Sequence, residues 1–188
     1  MNILITGANG QLGNEMRIIA AGSNDRYIFT DVNQIEGAET TYLDITDLQA
    51  VRNIVAKNNV DAIVNCAAYT NVEAAEDDIT MAYRVNSEGV ATLSKVCSEQ
   101  GTRLIHISTD YVFGGDTQRK TPYIESDATA PINIYGKSKA EGEGTVIEHD
   151  GIVIGTSWLY APWGKNFVLT MLRLGKEHAQ VSGVDDQR

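Results

Sequence analysis

The feature that most restricts the fold lies in the first thirteen residues. The apolar run Asn2–Thr6 stops at Gly7, and glycines recur at Gly10 and Gly13 as a helical pattern begins. A strand that turns through glycine into a helix must pack that helix back onto its sheet, and the crossover that follows is right-handed. In this register Gly7 is read as the tight turn and Gly10 as the point where a pyrophosphate approaches the backbone. Gly13 is read as the place where the helix packs closely on the sheet. A plain glycine turn with no ligand has the same local sequence. The N-terminal position and the three-and-three spacing favour a dinucleotide.

The pattern then repeats. Strands are predicted at Asn2–Thr6, 27–30, Ala62–Asn65, 103–108 and 151–155, and helices at 12–21, 47–58, within 79–100, at 135–148 and at Phe167–Glu177. Strands separated by helices imply a parallel sheet. Strands that are apolar throughout imply a sheet covered on both faces. The expected class is α/β, a doubly wound parallel sheet, with residues 1–188 forming one Rossmann-like NAD(P)-binding domain. The polar stretch 114–131 is long enough to read as a lid or binding loop.

Composition removes other classes. With 43% hydrophobic residues, 17 Gly and 3 Pro, the chain is neither collagen-like nor disordered. No apolar run reaches the roughly 20 residues of a membrane span. The start, MNILITGANG, lacks the basic region of a signal peptide, so a cytoplasmic protein with no membrane partner is expected. The net charge of −10 opposes nucleic acid as a partner. Cys66 and Cys97 lack metal-ligand spacing, and His106, His149 and His178 have no neighbouring ligand, so no metal is expected.

The chemistry-bearing residues fall at predicted strand ends. Asp31 can accept hydrogen bonds from adenosine ribose hydroxyls, which favours NAD(H), although a turn aspartate reads the same way. Asp44 faces the adenine side or is a turn residue ahead of a helix cap at Thr46 or Asp47. Tyr135 and Lys139, four apart, share a helix face. An ammonium nearby would lower the tyrosine pKa and make it a usable proton donor. Lys137 lies on another face and is read as solvated. Ser108, Thr109 and Asp110 place a hydroxyl where it could bond the same carbonyl, or simply cap a strand. Glu73, Glu76, Asp77 and Asp78 are read as a solvated helix start. Trp158 is a core aromatic or, at a strand end, a sugar platform.

Taken together, LDITD at 43–47, NCAAYTNVEAAE at 65–76, VNSEG at 85–89, STDYVF at 108–113, YGKSKAEGE at 135–143 and TSWLY at 156–160 carry a resemblance. The chain resembles the extended short-chain dehydrogenase/reductase family and, within it, the dTDP-4-dehydrorhamnose reductases. The resemblance implies reduction of the C4 ketone of dTDP-6-deoxy-L-lyxo-4-hexulose to dTDP-L-rhamnose by NADH or NADPH, which relaxes the preference drawn from Asp31. It implies Thr109, Tyr135 and Lys139 as the catalytic set, with Lys139 also holding the nicotinamide ribose. It implies cofactor contacts from Gly7, Asn9, Gly10, Gln11, Leu12, Gly13, Asp31, Asp44, Ile45, Ala67, Ala68 and Tyr69. The nucleotide-sugar substrate would meet Thr70, Val72, Thr109, Asp110 and Trp158, with Asn86 supporting the site from a helix. A homodimer is compatible with it.

Two departures stand out. Similar reductases usually carry Arg where this chain has Gly155. They also continue past Asp186-Gln187-Arg188 with a Gly-x-Pro-Thr segment, so a truncated reductase, its substrate-binding part largely absent, is expected. Of the alternatives, a related nucleotide-sugar dehydratase or epimerase is weakened because Asp110 is followed by Tyr111 and not by a second acid. A non-catalytic dinucleotide-binding regulatory subunit would have no need of both Tyr135 and Lys139.

Overall fold

The computed structural model describes residues 1–164 and 166–182. The described residues fall into two compact units, Met1–Ser157 and a second beginning at Trp158. The first unit contains six strands: β1 (Asn2–Thr6), β2 (Arg26–Asp31), β3 (Thr41–Tyr42), β4 (Ala62–Asn65), β5 (Arg103–Thr109) and β6 (Ile152–Thr156). They form one parallel sheet in the order β3-β2-β1-β4-β5-β6. The chain leaves β1 towards β2 on one side and returns to β4 on the other. That reversal opens a crevice at the carboxyl ends of β1 and β4, where sheets of this type bind ligands.

The connecting helices are α1 (Gln11–Ala21), α2 (Leu48–Asn58), α3 (Val72–Asp77), α4 (Ile79–Tyr83), α5 (Gly89–Gln100) and α6 (Ile134–Glu148). The core forms where Leu4 and Ile63 of the central strands meet Val51 and Val55 of α2, Val90, Leu93 and Val96 of α5, and Val146 of α6. Each such side chain contributes roughly 1.5–3 kcal/mol by leaving water. Most helix starts are capped by side chains. Asp47 accepts from the amides of Gln49 and Ala50, Asn71 from Ala74, Asp78 from Met81, and Asn133 from Gly136. The N-cap of α1 is Gly10, which has no side chain to offer.

The structure departs from the sequence expectations in particular places. The two-residue β3 is too short to leave a pattern. The helical run through 79–100 contains a π turn, Arg84–Glu88, between α4 and α5. The acidic run does not merely face solvent at a helix start: Asp78 caps α4, and Glu76 Oε1 accepts from the Ile134 amide at 2.8 Å, tying α3 to the start of α6. β1 and β4 are covered as expected, whereas edge strand β6 leaves Ile152 and Ile154 45% and 44% exposed. The 114–131 loop is braced upon itself. Gly114 bridges Pro131, Phe113 stacks on Tyr123 at 4.1 Å, and Arg119 pairs with Asp127. A Cβ at Gly155 would meet nothing within 4 Å, so packing does not demand glycine there.

In the second unit, α7 (Phe167–Glu177) is capped by Asn166, whose amide also donates to the Ala161 carbonyl at 2.9 Å. Trp158 meets Phe167 edge-on at 5.1 Å. Asp186-Gln187-Arg188 lies outside the described residues. Among those described, no helix is long and apolar enough to cross a membrane.

Candidate active site

The glycine turn is shaped mainly by its own chain. Gly7 has φ +62°, and a Cβ there would lie 2.6 Å from the Ala67 amide nitrogen at the end of β4. Only glycine suits both that backbone and that approach. A Cβ on Gly13 would come within 2.5 Å of Gly7 O and Ala8 Cα. Its closest approach is therefore to the turn that links β1 to α1. Gly10 is exposed, and its amide donates to the Gly7 carbonyl at 3.0 Å. Gln11 and Leu12 open α1 beside it, half-buried.

Asp31 ends β2 and is 7% exposed. Its Oδ2 accepts from the Asn9 amide at 3.0 Å and its Oδ1 from the Asn33 amide at 2.8 Å, so the carboxylate pins the glycine turn. Arg17, which the sequence reading passed over, lies over the Phe29 ring at 4.3 Å and donates to Asn9 Oδ1 at 3.1 Å. Asp44 is a turn residue: its Oδ1 accepts from the Thr46 amide and hydroxyl at 2.9 and 2.8 Å, and the helix cap is Asp47. The Ile45 side chain lies in the core.

At the end of β4, Asn65 Oδ1 accepts from the Thr6 hydroxyl at 2.5 Å and the Ala67 amide at 3.2 Å. Ala67 and Ala68 follow, half-buried. Tyr69 is clamped at both backbone groups. Its amide donates to Asn86 Oδ1 at 2.8 Å, and its carbonyl accepts from Asn86 Nδ2 at 3.0 Å. The same Nδ2 reaches Ser138 Oγ at 3.0 Å, joining this loop to α6. Asn86 sits in the π turn, a distortion that often marks functional sites. Thr70 is exposed, while Val72 and Tyr69 pack against Ala75, Ala82 and Tyr135.

α6 comes close because glycine permits it. A Cβ on Gly136 would collide with the Tyr111 carbonyl oxygen, and one on Gly142 with the Asn86 carbonyl oxygen. Tyr135, 9% exposed, is thereby seated beside Thr109, with its ring 5.6 Å from Tyr111. The Thr109 hydroxyl in turn donates to exposed Asp110 at 3.1 Å. Burial is the main influence on the Tyr135 phenol and raises its pKa; Thr109 opposes this, and Asp110 and Tyr111 add to the rise.

Lys139 shares the helix with Tyr135, but its amine reaches β5. It donates to the Ile107 carbonyl at 2.7 Å and lies 3.1 Å from His106 Nε2. The expected lowering of the tyrosine pKa by the lysine is thus not what this arrangement shows. Burial pushes Lys139 down to about 8, with Glu143 and Cys66 opposing, and pushes His106 down to about 2. Burial also pushes the Cys66 thiol up to about 12, as an inert packed thiol requires. Among the described residues no group of side chains could hold a metal.

His106 was weighed in the sequence only as a metal ligand. The signal that would have found its role is register: Asn65 and His106 are paired polar residues in otherwise apolar neighbouring strands. Trp158 belongs to the second unit and is 54% exposed, so it is not the core aromatic of the bland reading.

The whole chain, residues 1–188, matches the family described as RmlD substrate binding domain. It is 40% identical over 187 residues to a dTDP-4-keto-6-deoxy-D-glucose reductase from Streptomyces niveus, covering 98% of this chain and 62% of that protein. A dTDP-4-dehydrorhamnose reductase from Clostridium acetobutylicum superposes with a TM-score of 0.89 at 40% identity, covering 100% of this chain and 64% of that one. The Bacillus anthracis dTDP-4-dehydrorhamnose reductase, solved with NADP, gives 0.81 at 40% identity, covering 94% and 60%. The chain therefore spans about three fifths of the length of these relatives.

Proposed function

Because this chain belongs to the RmlD substrate binding domain family, we propose that it is the cofactor-binding and catalytic part of an NAD(P)H-dependent reductase of dTDP-rhamnose biosynthesis. Its reaction is reduction of the C4 ketone of dTDP-6-deoxy-L-lyxo-4-hexulose to dTDP-L-rhamnose. The observation that carries this reading is the buried Tyr135 beside Thr109, with Lys139 on the same helix, at the carboxyl end of a doubly wound sheet.

The residues present fit a dinucleotide. α1 begins behind a glycine turn whose N-cap, Gly10, has no side chain to cap it, whereas α2, α3, α4 and α6 are capped by side chains. Such an end offers backbone N–H groups and a positive dipole to a pyrophosphate, which suits an acidic protein with few basic side chains to spare. Asp31 keeps acceptor capacity beyond its two backbone bonds, since a carboxylate offers about four acceptor sites. The B. anthracis relative was solved with NADP, and Arg17 beside Asn9 places a cation at the glycine turn here, so both NADH and NADPH are proposed. Ala67, Ala68 and Tyr69, held by Asn65 and Asn86, form the opposite wall.

When bound, the nicotinamide supplies the hydride. The chain's own residues handle the oxygen. Tyr135 gives its proton to the developing alkoxide, and its raised pKa keeps that proton in place until the oxygen becomes basic. Thr109, beside the phenol, offers a hydroxyl to the same oxygen. Lys139 supplies positive charge from the shared helix face. Thr70, Val72 and Asp110 are proposed to meet the sugar.

The test follows NADH and NADPH absorbance with the 4-keto sugar nucleotide added. Oxidation of either cofactor by the 188-residue chain, abolished in Tyr135→Phe while cofactor binding is retained, is the expected result. A Tyr135→Phe variant that turns over at the parental rate would overturn the assignment. Equal loss of binding and turnover would make Tyr135 structural.

A further inference from the structure

The hydrogen-bonded series behind the proposed catalytic helix has its proton positions fixed by one backbone group. The Ala67 amide can only donate, so the atom of Asn65 that it meets must be the oxygen, and Asn65 Nδ2 must be the atom facing His106 Nδ1 at 2.9 Å. Nδ2 can only donate. His106 Nδ1 is then the bare, accepting nitrogen, and in a neutral ring the proton sits on Nε2. That Nε2–H points at Lys139 Nζ across 3.1 Å. An ammonium has three donors and no acceptor, whereas an amine has the lone pair needed to receive this bond. The amine still has hydrogens for the Ile107 carbonyl at 2.7 Å. Asn65 and His106 are fully buried and Lys139 is 2% exposed, so water does not intervene.

We propose that His106 is a positioning residue that docks Lys139 as the uncharged amine, and that the lysine becomes an ammonium only on leaving this dock. Resting on the catalytic reading of Lys139 given above, this makes the activating charge conditional: it exists when the side chain turns from β5 towards the crevice. The proton it takes up comes from solvent as the dock opens. His106 keeps its own, because burial holds its pKa near 2, and the lysine is the group that titrates, at about 8. The amine dock is therefore the form populated above about pH 8 and opens with protonation below it. The other titratable groups facing the lysine are Cys66 after β4 and Glu143 on α6. Cys66 is a neutral thiol over the same range, with burial pushing it to about 12.

The experiment is nuclear magnetic resonance on the intact chain without cofactor. Imidazole ¹⁵N shifts report the tautomer, and the Lys139 ¹³Cε shift reports its charge. The expected result is an Nε2–H, bare-Nδ1 imidazole that does not titrate between about pH 6 and 9. Lys139 should show an amine-type shift whenever its contact with His106 is present. An Nδ1–H tautomer, or an ammonium still in contact with His106, would overturn the proposal. In His106→Leu no N–H meets the lysine, and its titration should rise by about one pH unit, the worth of one hydrogen bond. An unchanged titration in a folded His106→Leu protein also overturns it. None of these readouts needs turnover, so a failed reductase assay and a failed dock are separate results.

Discussion

Two glycines on α6, one turn or less apart, should respond in opposite directions to the same substitution. At Gly142 an added Cβ falls closer than 3.0 Å to the Asn86 carbonyl oxygen, a backbone atom that cannot rotate aside. Ordinary contact begins at 3.4 Å, so α6 and the π turn must separate by on the order of 1 Å. Overpacking of this kind costs about 1–3 kcal/mol, and the added methyl also strains the clamp that Asn86 makes on Tyr69. At Gly144 a Cβ meets nothing within 4 Å. There Gly→Ala should stabilise the helix by roughly 0.5–1 kcal/mol. Urea unfolding of the chain and its two variants gives both values directly. In a domain of this size about 1 kcal/mol moves the melting temperature by roughly 2–4 °C, so the pair should be split by several degrees. Because α6 carries Tyr135 and Lys139, the displacement at Gly142 should also reduce turnover on the order of 100-fold. Equal stability of Gly142→Ala and Gly144→Ala would refute the close approach of α6 to the π turn.

Asn86→Ala strips partners from both backbone groups of Tyr69 and from Ser138, and should cost on the order of 3 kcal/mol in urea unfolding. A double-mutant cycle with Ser138→Ala should show coupling, and strict additivity would mean the two do not share a network. Burial pushes both Cys66 and Cys97 up to about 12. Iodoacetamide at about pH 8 should therefore alkylate them about a thousandfold more slowly in the folded chain than in urea, as read by mass spectrometry. Equal rates would show that the thiols are not buried as described. His106 has a folded pKa near 2 against about 6.5 in the unfolded chain. Its contribution is fully present above about pH 6.5 and is lost as pH falls, because the unfolded chain binds the proton first. Between about pH 6.5 and 5 the loss should be about 2 kcal/mol, seen as a lower urea midpoint that flattens in His106→Leu.

How much of this could be read from the chain alone depends on the range of the interaction. The alternation of strands and helices, the turn at Gly7 and the shared face of Tyr135 and Lys139 all rest on spacings of a few residues, and the structure reproduces each of them. Contacts with distant partners left no such signal. The turn alternative for Asp44 is visible in its bonds to Thr46, the atoms nearest a Cβ on Gly13 are those of the glycine turn, and Asp31 braces Asn9 across the β1–α1 turn. The direction of Lys139 was decided by His106 and Ile107, more than thirty residues away in sequence. No periodicity records such a choice. By itself the sequence determined which backbone conformations were available and which residues could do acid–base chemistry. Only the tertiary structure decided which donor meets which acceptor, because buried groups must be satisfied wherever the sheet order happens to bring them.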